Sequence, residues 1–126
     1  MHPETSVVPL HKFDLEAANA AVEAGWPAIK PSAERLLQWV QDANWPVARV
    51  LAPALAAVGA PLAPYVRRVL AGEDETWKHH LIGMIVAQSQ ELTSALRPEL
   101  ERIAFVPTPS ESAEKVCDVA REALEQ

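Results

Sequence analysis

The residues best suited to recognition chemistry here are four tryptophans, Trp26, Trp39, Trp45 and Trp77, and the aspartates beside two of them. Asp42 precedes Trp45 and Asp74 precedes Trp77 at the same interval, and the second pair repeats the first after 32 positions. An indole carries a large apolar face and one N–H donor. It can wedge between helices with that donor on a loop carbonyl, or show an edge to a partner. Both pairs fall at helix starts, so the loops 42–45 and 73–77 are expected to line one edge and form a recognition patch. The positions assigned to it are Trp26, Asp42, Asn44, Trp45, Asp74, Trp77 and Lys78. Asp14, Asp42 and Asp74 each stand before a helix or in a turn, where capping accounts for an aspartate better than catalysis does.

Other reactive side chains give weaker patterns. Glu75 and His79 are four apart and share a helix face, with His80 about 100° away. A metal there would require a third ligand such as His11 or Asp42, and an i,i+4 pair is the favoured reading. The dipeptide His-Glu, expected of a metal-dependent hydroxylase built on HEAT repeats, does not occur. Cys117, the single cysteine, excludes an internal disulfide and falls on an apolar stripe, as a buried inert thiol would. No serine sits in a glycine elbow and no glycine-rich loop could cradle a phosphate. Arg67, Arg68, Lys78, His79 and His80 read as a solvated basic face. No catalytic residue, metal ligand or cofactor site is assigned.

The elements that must position these residues read as helices throughout. Residues 1–9, with Pro3 and Pro9, are expected to form an extended arm on a single domain spanning 1–126. Asp14 caps a first helix with Leu15, Ala18 and Val22 inward, and Gly25 stops it. Ile29, Ala33, Leu36, Leu37 and Val40 form the stripe of a second helix. Asn44 is expected to cap a third, with Pro46 in its first turn and Pro53 inside it. Gly59 ends that helix and Pro61 begins a fourth. Asp74 caps a fifth, whose apolar residues from Trp77 to Val86 cover more than one face, so it should be the most buried. Val50 then matches Ile82 and Ala54 matches Val86 at the same shift of 32. A sixth helix carries Leu92 to Ile103. Thr108-Pro109-Ser110-Glu111 is a capping box that opens a last helix. About seven short helices with short connections make about three antiparallel hairpins. A shift of this size between hairpins predicts a short α-solenoid, an α-α superhelix that buries each stripe against its neighbour.

Composition sets the remaining bounds. Hydrophobic residues make up 49% of the 126, enough for one packed core. The formal charge of −6 argues against nucleic acid, whose affinity comes from lysine and arginine on phosphates, and fits a basic partner. No basic stretch followed by an apolar run marks the start, and no apolar run reaches the ~20 residues of a membrane span. A cytoplasmic protein with no membrane attachment is the expectation.

Three stretches, Pro9 to Ala17, Leu37 to Ala48 and Asp74 to Lys78, resemble a family of small bacterial single-domain proteins of unknown function. That family looks like a truncated HEAT-type repeat, and Gln41 to Ala48 is the most specific part of the likeness. The resemblance implies an all-helical fold and no catalytic residue. The function expected is a non-catalytic interaction module, with an immunity protein or antitoxin covering a cationic toxin as one concrete form. The alternative is a small-molecule-binding protein or enzyme with a pocket near Trp45, Trp77 and His79. A DNA glycosylase on a helical-repeat scaffold is disfavoured by charge.

Overall fold

The computed structural model describes residues 6–125, and among them every regular element is helical. The part of the expected N-terminal arm that covers residues 1–5 lies outside the described residues. The described residues form nine α-helices: α1 (Leu15–Ala24), α2 (Ala33–Gln38), α3 (Pro46–Val58), α4 (Ala63–Leu70), α5 (Glu75–Met84), α6 (Gln90–Ala95), α7 (Arg97–Phe105), α8 (Pro109–Ala113) and α9 (Val116–Leu124). Short 3₁₀ segments at Lys30–Ser32, Ala60–Leu62 and Val86–Gln88 supplement them. No single described helix is long and apolar enough to cross a membrane.

Nine helices stand where about seven were expected, and backbone chemistry explains both extra breaks. Pro98 has no N–H to donate into the preceding turn, so the helix expected over 92–103 ends at Ala95 and restarts at Arg97. Lys115 adopts a left-handed backbone, φ 62°, which separates α8 from α9. Asp14 and Asp74 cap α1 and α5 as expected, accepting the N–H of Ala17 at 3.3 Å and of Trp77 at 3.0 Å. Asp14 also accepts from Leu10 N at 2.9 Å. These two N–H donors hold its carboxyl below the usual carboxylate range. Asn44 does not cap α3. Trp45 occupies the cap position with no side-chain bond, while Asp42 Oδ1 takes the Asn44 N–H at 2.8 Å in a local turn.

Packing corrects the expected stripes. Helix α1 buries Ala17, Ala18 and Ala21 and leaves Leu15 and Val22 exposed, so a face of alanine meets α3. The expected fifth helix, α5 with the 3₁₀ turn after it, buries Glu75, Lys78, Leu81, Ile82, Ile85 and Val86, which equals the six of α3 and does not exceed it. Val50 and Ala54 are half-buried where Ile82 and Val86 are fully buried, so the 32-residue shift is not reproduced in burial. A different register is: Ala33, Ala63 and Thr93, then Leu36, Val66 and Leu96, then Val40, Leu70 and Leu100, each 30 apart, are all buried. Helix α1 packs on α3, α3 on α5 and α5 on α9, while α2 packs on α4 and α7 on α9. Arg68 pairs with Glu34 across α4 and α2, and Arg67 Nε donates to Glu99 Oε2 at 2.8 Å across α4 and α7. One continuous core runs from Ala18 to Ala123.

The turn after α3 shows how tightly neighbouring layers meet. The chain bends by 110° between Pro46–Val58 and Ala60–Leu70, with Gly59 at φ 77°. Glu91 Oε1 accepts the Ala60 N–H at 3.1 Å, and a Cβ on residue 59 would run into that carboxylate. Gly59→Ala therefore meets backbone strain at φ 77°, and it displaces the exposed Glu91 side chain from its bond to Ala60. We expect a loss of about 2 kcal/mol in unfolding free energy, measured by urea titration. A change below about 0.5 kcal/mol would mean that the turn relaxes freely.

Candidate functional site

Two places gather side chains with chemical potential. The first is the turn before α3. Trp45 lies against Trp39 in an edge-to-face pair, ring centroids 5.7 Å apart, and both indoles are half-buried. Asp42 is half-buried and Asn44 exposed in the same turn. Val47 N donates to Lys12 O at 3.2 Å, which brings the segment 10–13 to the start of α3. That segment carries Leu10 and Phe13, 83% and 63% exposed, with Lys12 Nζ 5.4 Å from the Phe13 ring centre.

The start of α5 docks beside this turn, but not in an equivalent way. Trp77 is the third residue of its helix, whereas Trp45 precedes the first of α3. Trp77 Nε1 donates to Leu37 O at 2.9 Å, and His80 Nδ1 is 2.7 Å from Gln41 O, so α5 is fastened to the segment leading into Asp42. The indole thus behaves as the wedge with a carbonyl partner that its chemistry allows. Asp74 is exposed and engaged as a cap. Trp26 packs edge-on to Tyr65 of α4 at 6.2 Å. His79 lies edge-on to His80, and Glu75 bonds elsewhere, so the expected i,i+4 pair does not form.

Lys78 is the clear correction. Expected at the surface, it is 2% exposed and sits at the second place, a buried ionic network. Its Nζ is 2.9 Å from Glu111 Oε2 and 2.8 Å from Glu75 Oε1. Glu111, with no exposed surface, also receives Arg102 Nη1 at 2.9 Å and Nη2 at 2.6 Å, and the Thr108 N–H at 2.8 Å. Ser110 Oγ donates to Glu75 Oε2 at 2.6 Å. Burial alone would push the Glu111 carboxyl up. The Arg102 fork, the Thr108 N–H and Lys78 more than reverse this and hold it at about 2. Burial likewise pulls the Lys78 ammonium down, but Glu75 and Glu111 outweigh it and leave it raised. The basic face expected from Arg67, Arg68 and Lys78 is therefore dispersed, each cation taking its own carboxylate. Among the described residues, no group of three or more His, Cys, Asp or Glu could hold a metal.

The sequence signal for Glu111 was its place in the capping box, which the structure contains in full: Glu111 N donates to Thr108 Oγ1 at 3.1 Å and Thr108 N returns the bond. Its partners Lys78 and Arg102 had no such signal. These features define a small all-helical domain organised around a buried ionic network, with an aromatic turn at one edge. The chain belongs to the DUF5071 family, a domain of unknown function, whose family model matches residues 7–124. No curated protein matches it.

Proposed function

We propose that this domain is a non-catalytic interaction module for a basic protein partner, and that its helix pairs form a short HEAT-like α-solenoid. The solenoid reading is supported by the 30-residue register of buried positions and by the succession of α1, α3, α5 and α9 against one another. Successive pairs of this kind bury stripes that none could bury alone.

The observation that carries the partner reading is the half-buried Trp39–Trp45 pair beside the exposed Leu10 and Phe13. Exposed aromatic and apolar groups held next to a helix start, here by the Val47 N–H to Lys12 O bond, are what binding hot spots are made of. Asp42 and Asn44 supply polar groups at the rim, and the charge of −6 steers toward a cationic surface. An immunity protein or antitoxin that covers a basic toxin is the concrete form proposed. The domain is proposed to act in the cytoplasm.

The test replaces Trp45 by Ala and Asp42 by Asn together. Binding to a purified basic partner, first identified by crosslinking in the source cell, is expected to weaken by about 100-fold or more. Helical content by circular dichroism should stay unchanged. Wild-type affinity in the double variant would sink the proposal.

A further inference from the structure

A groove of about 870 Å³ runs along α3, apart from both the Trp39–Trp45 pair and the ionic network. One wall is a single face of α3, where Arg49, Ala52, Pro53, Ala56 and Ala57 recur at helical spacing. The other wall is Met84 with residues 88–91, from the end of α5 to the start of α6. Ala52 and Ala56 are nearly covered, and their small side chains leave the groove its depth. Pro53 and Ala57 are exposed and Met84 is half-buried, so these three offer apolar surface that an occupant can touch. A thioether adapts its shape to such contacts.

The polar groups of the lining keep spare hydrogen-bonding capacity, and its sign changes along the groove. Arg49 is exposed and gives Nε to Ala43 O at 3.3 Å. Its Nη1 and Nη2 have no partner among the described residues, and a guanidinium with free nitrogens grips a carboxylate. At the opposite end Glu91 lies against Gly59, spends Oε1 on the Ala60 N–H and leaves Oε2 free. Along the second wall, the Gln90 side chain bonds to none of the described residues, and Gln88 uses only Nε2, on Gly83 O at 3.3 Å. Ser89 Oγ accepts the Leu92 N–H and keeps its own proton to donate. Pro53 has no N–H, so the Arg49 carbonyl lacks its usual i+4 donor. A glutamine amide offers one acceptor and a donor group, the complement of a peptide unit. An alkyl chain would cover these groups and leave them unpaired. Gly59 stands ten positions beyond Arg49. That is about 15 Å of helix, which an extended chain covers in about four to five residues.

We propose that this groove binds the extended C-terminal tail of a partner polypeptide. The terminal carboxylate sits on the free nitrogens of Arg49, and the tail's amides meet Gln88, Ser89 and Gln90. Small apolar side chains rest on Pro53, Ala57 and Met84. A lysine or arginine about four residues before the end reaches Glu91, so the two opposite charges fix the direction of the chain. The groove uses neither Trp39, Trp45 nor Asp42, and failure of either reading leaves the other standing.

The experiment is a two-dimensional NMR titration of the full chain at neutral pH. The probes are acetyl-Lys-Ala-Val-Ala-Val with a free C-terminal carboxylate, the same peptide as its C-terminal amide, and octanoate. The acid is expected to give saturable shifts confined to residues 49–60 and 84–91. The amide should bind about tenfold more weakly, the size of one lost charge-assisted pair. Arg49→Gln should bring the acid down to the level of the amide and leave the amide unchanged. Glu91→Gln keeps an acceptor for the Ala60 N–H and should weaken the lysine peptide, but not a version with norleucine in place of lysine. Ala57→Phe fills the groove from an exposed position and should abolish saturation, and it decides the matter if Arg49→Gln disturbs the turn. Acid and amide binding alike, octanoate binding as tightly as the acid, no saturation with the acid, or a wild-type Kd in Ala57→Phe would overturn the proposal. So would a dimer in sedimentation that Ala57→Phe dissolves, since a second copy would then fill the groove.

Discussion

Glu111→Gln is expected to lower the unfolding free energy by about 3 kcal/mol, the cost of removing one partner from a buried ion cluster. For a domain of this size that is a fall of about 10 °C in Tm. The substitution isolates charge from shape. Glutamine at this position can still accept the Thr108 N–H and close the capping box, so the start of α8 should persist. What is lost is the anion between Lys78 and Arg102. Lys78, 2% exposed, would keep Glu75 alone, and Arg102 would lose its Nη2 bond, because Oε2 becomes an amide nitrogen. Thermal unfolding followed by circular dichroism gives the measurement. A shift of less than about 2 °C would show that water or rearrangement compensates the buried ammonium.

Acid should unmake the same cluster, and the direction follows from Glu111. Its carboxyl is held at about 2 when folded against 4.5 when unfolded. A depressed folded value means that the unfolded chain takes up the proton first. The stabilisation is therefore complete above about pH 4.5 and disappears as pH falls toward about 2. Its size, about 3 kcal/mol, agrees with the mutational estimate. Other carboxylates titrate in the same window, so the informative quantity is the difference between wild type and Glu111→Gln. That difference is expected to be large at neutral pH and to shrink to nothing near pH 2. Denaturant titrations of both proteins across this range provide it. Curves that stay parallel down to the acid limit would assign the stabilisation to something other than the ionised Glu111.

The helical elements were largely legible because their signals are local. Asp14 and Asp74 announce α1 and α5 through a side chain that reaches three residues ahead, and Thr108 to Glu111 announces α8 through a reciprocal pair within one turn. Such contacts depend on backbone geometry that neighbouring residues dictate. The proline break at Arg97-Pro98 was visible as a residue but not as a full stop. Whether a helix kinks or ends there depends on what packs around it.

The repeat was misread for a related reason. Asp42 with Trp45 and Asp74 with Trp77 match as letters, yet Trp45 pairs with Trp39 while Trp77 anchors to Leu37 O. The spacing that burial follows is 30, carried by Ala33, Leu36 and Val40 and their successors, which are commonplace residues with nothing to mark them. Periodicity shows which side of a helix is apolar. It does not show which of two plausible registers neighbouring helices adopt, because that is set by how their side chains interlock.

By itself the sequence determined an all-helical chain, most of its caps, its acidic charge and the absence of any recognisable catalytic motif. Tertiary structure alone decided that Lys78 and Glu111, 33 positions apart, would meet out of reach of solvent. A lysine on a helix and a glutamate in a capping box are each ordinary surface residues by local rules. Only the packing of α5, α7 and α8 on α9 turns them into one buried pair, because burial, unlike capping, is a property of the assembled layers.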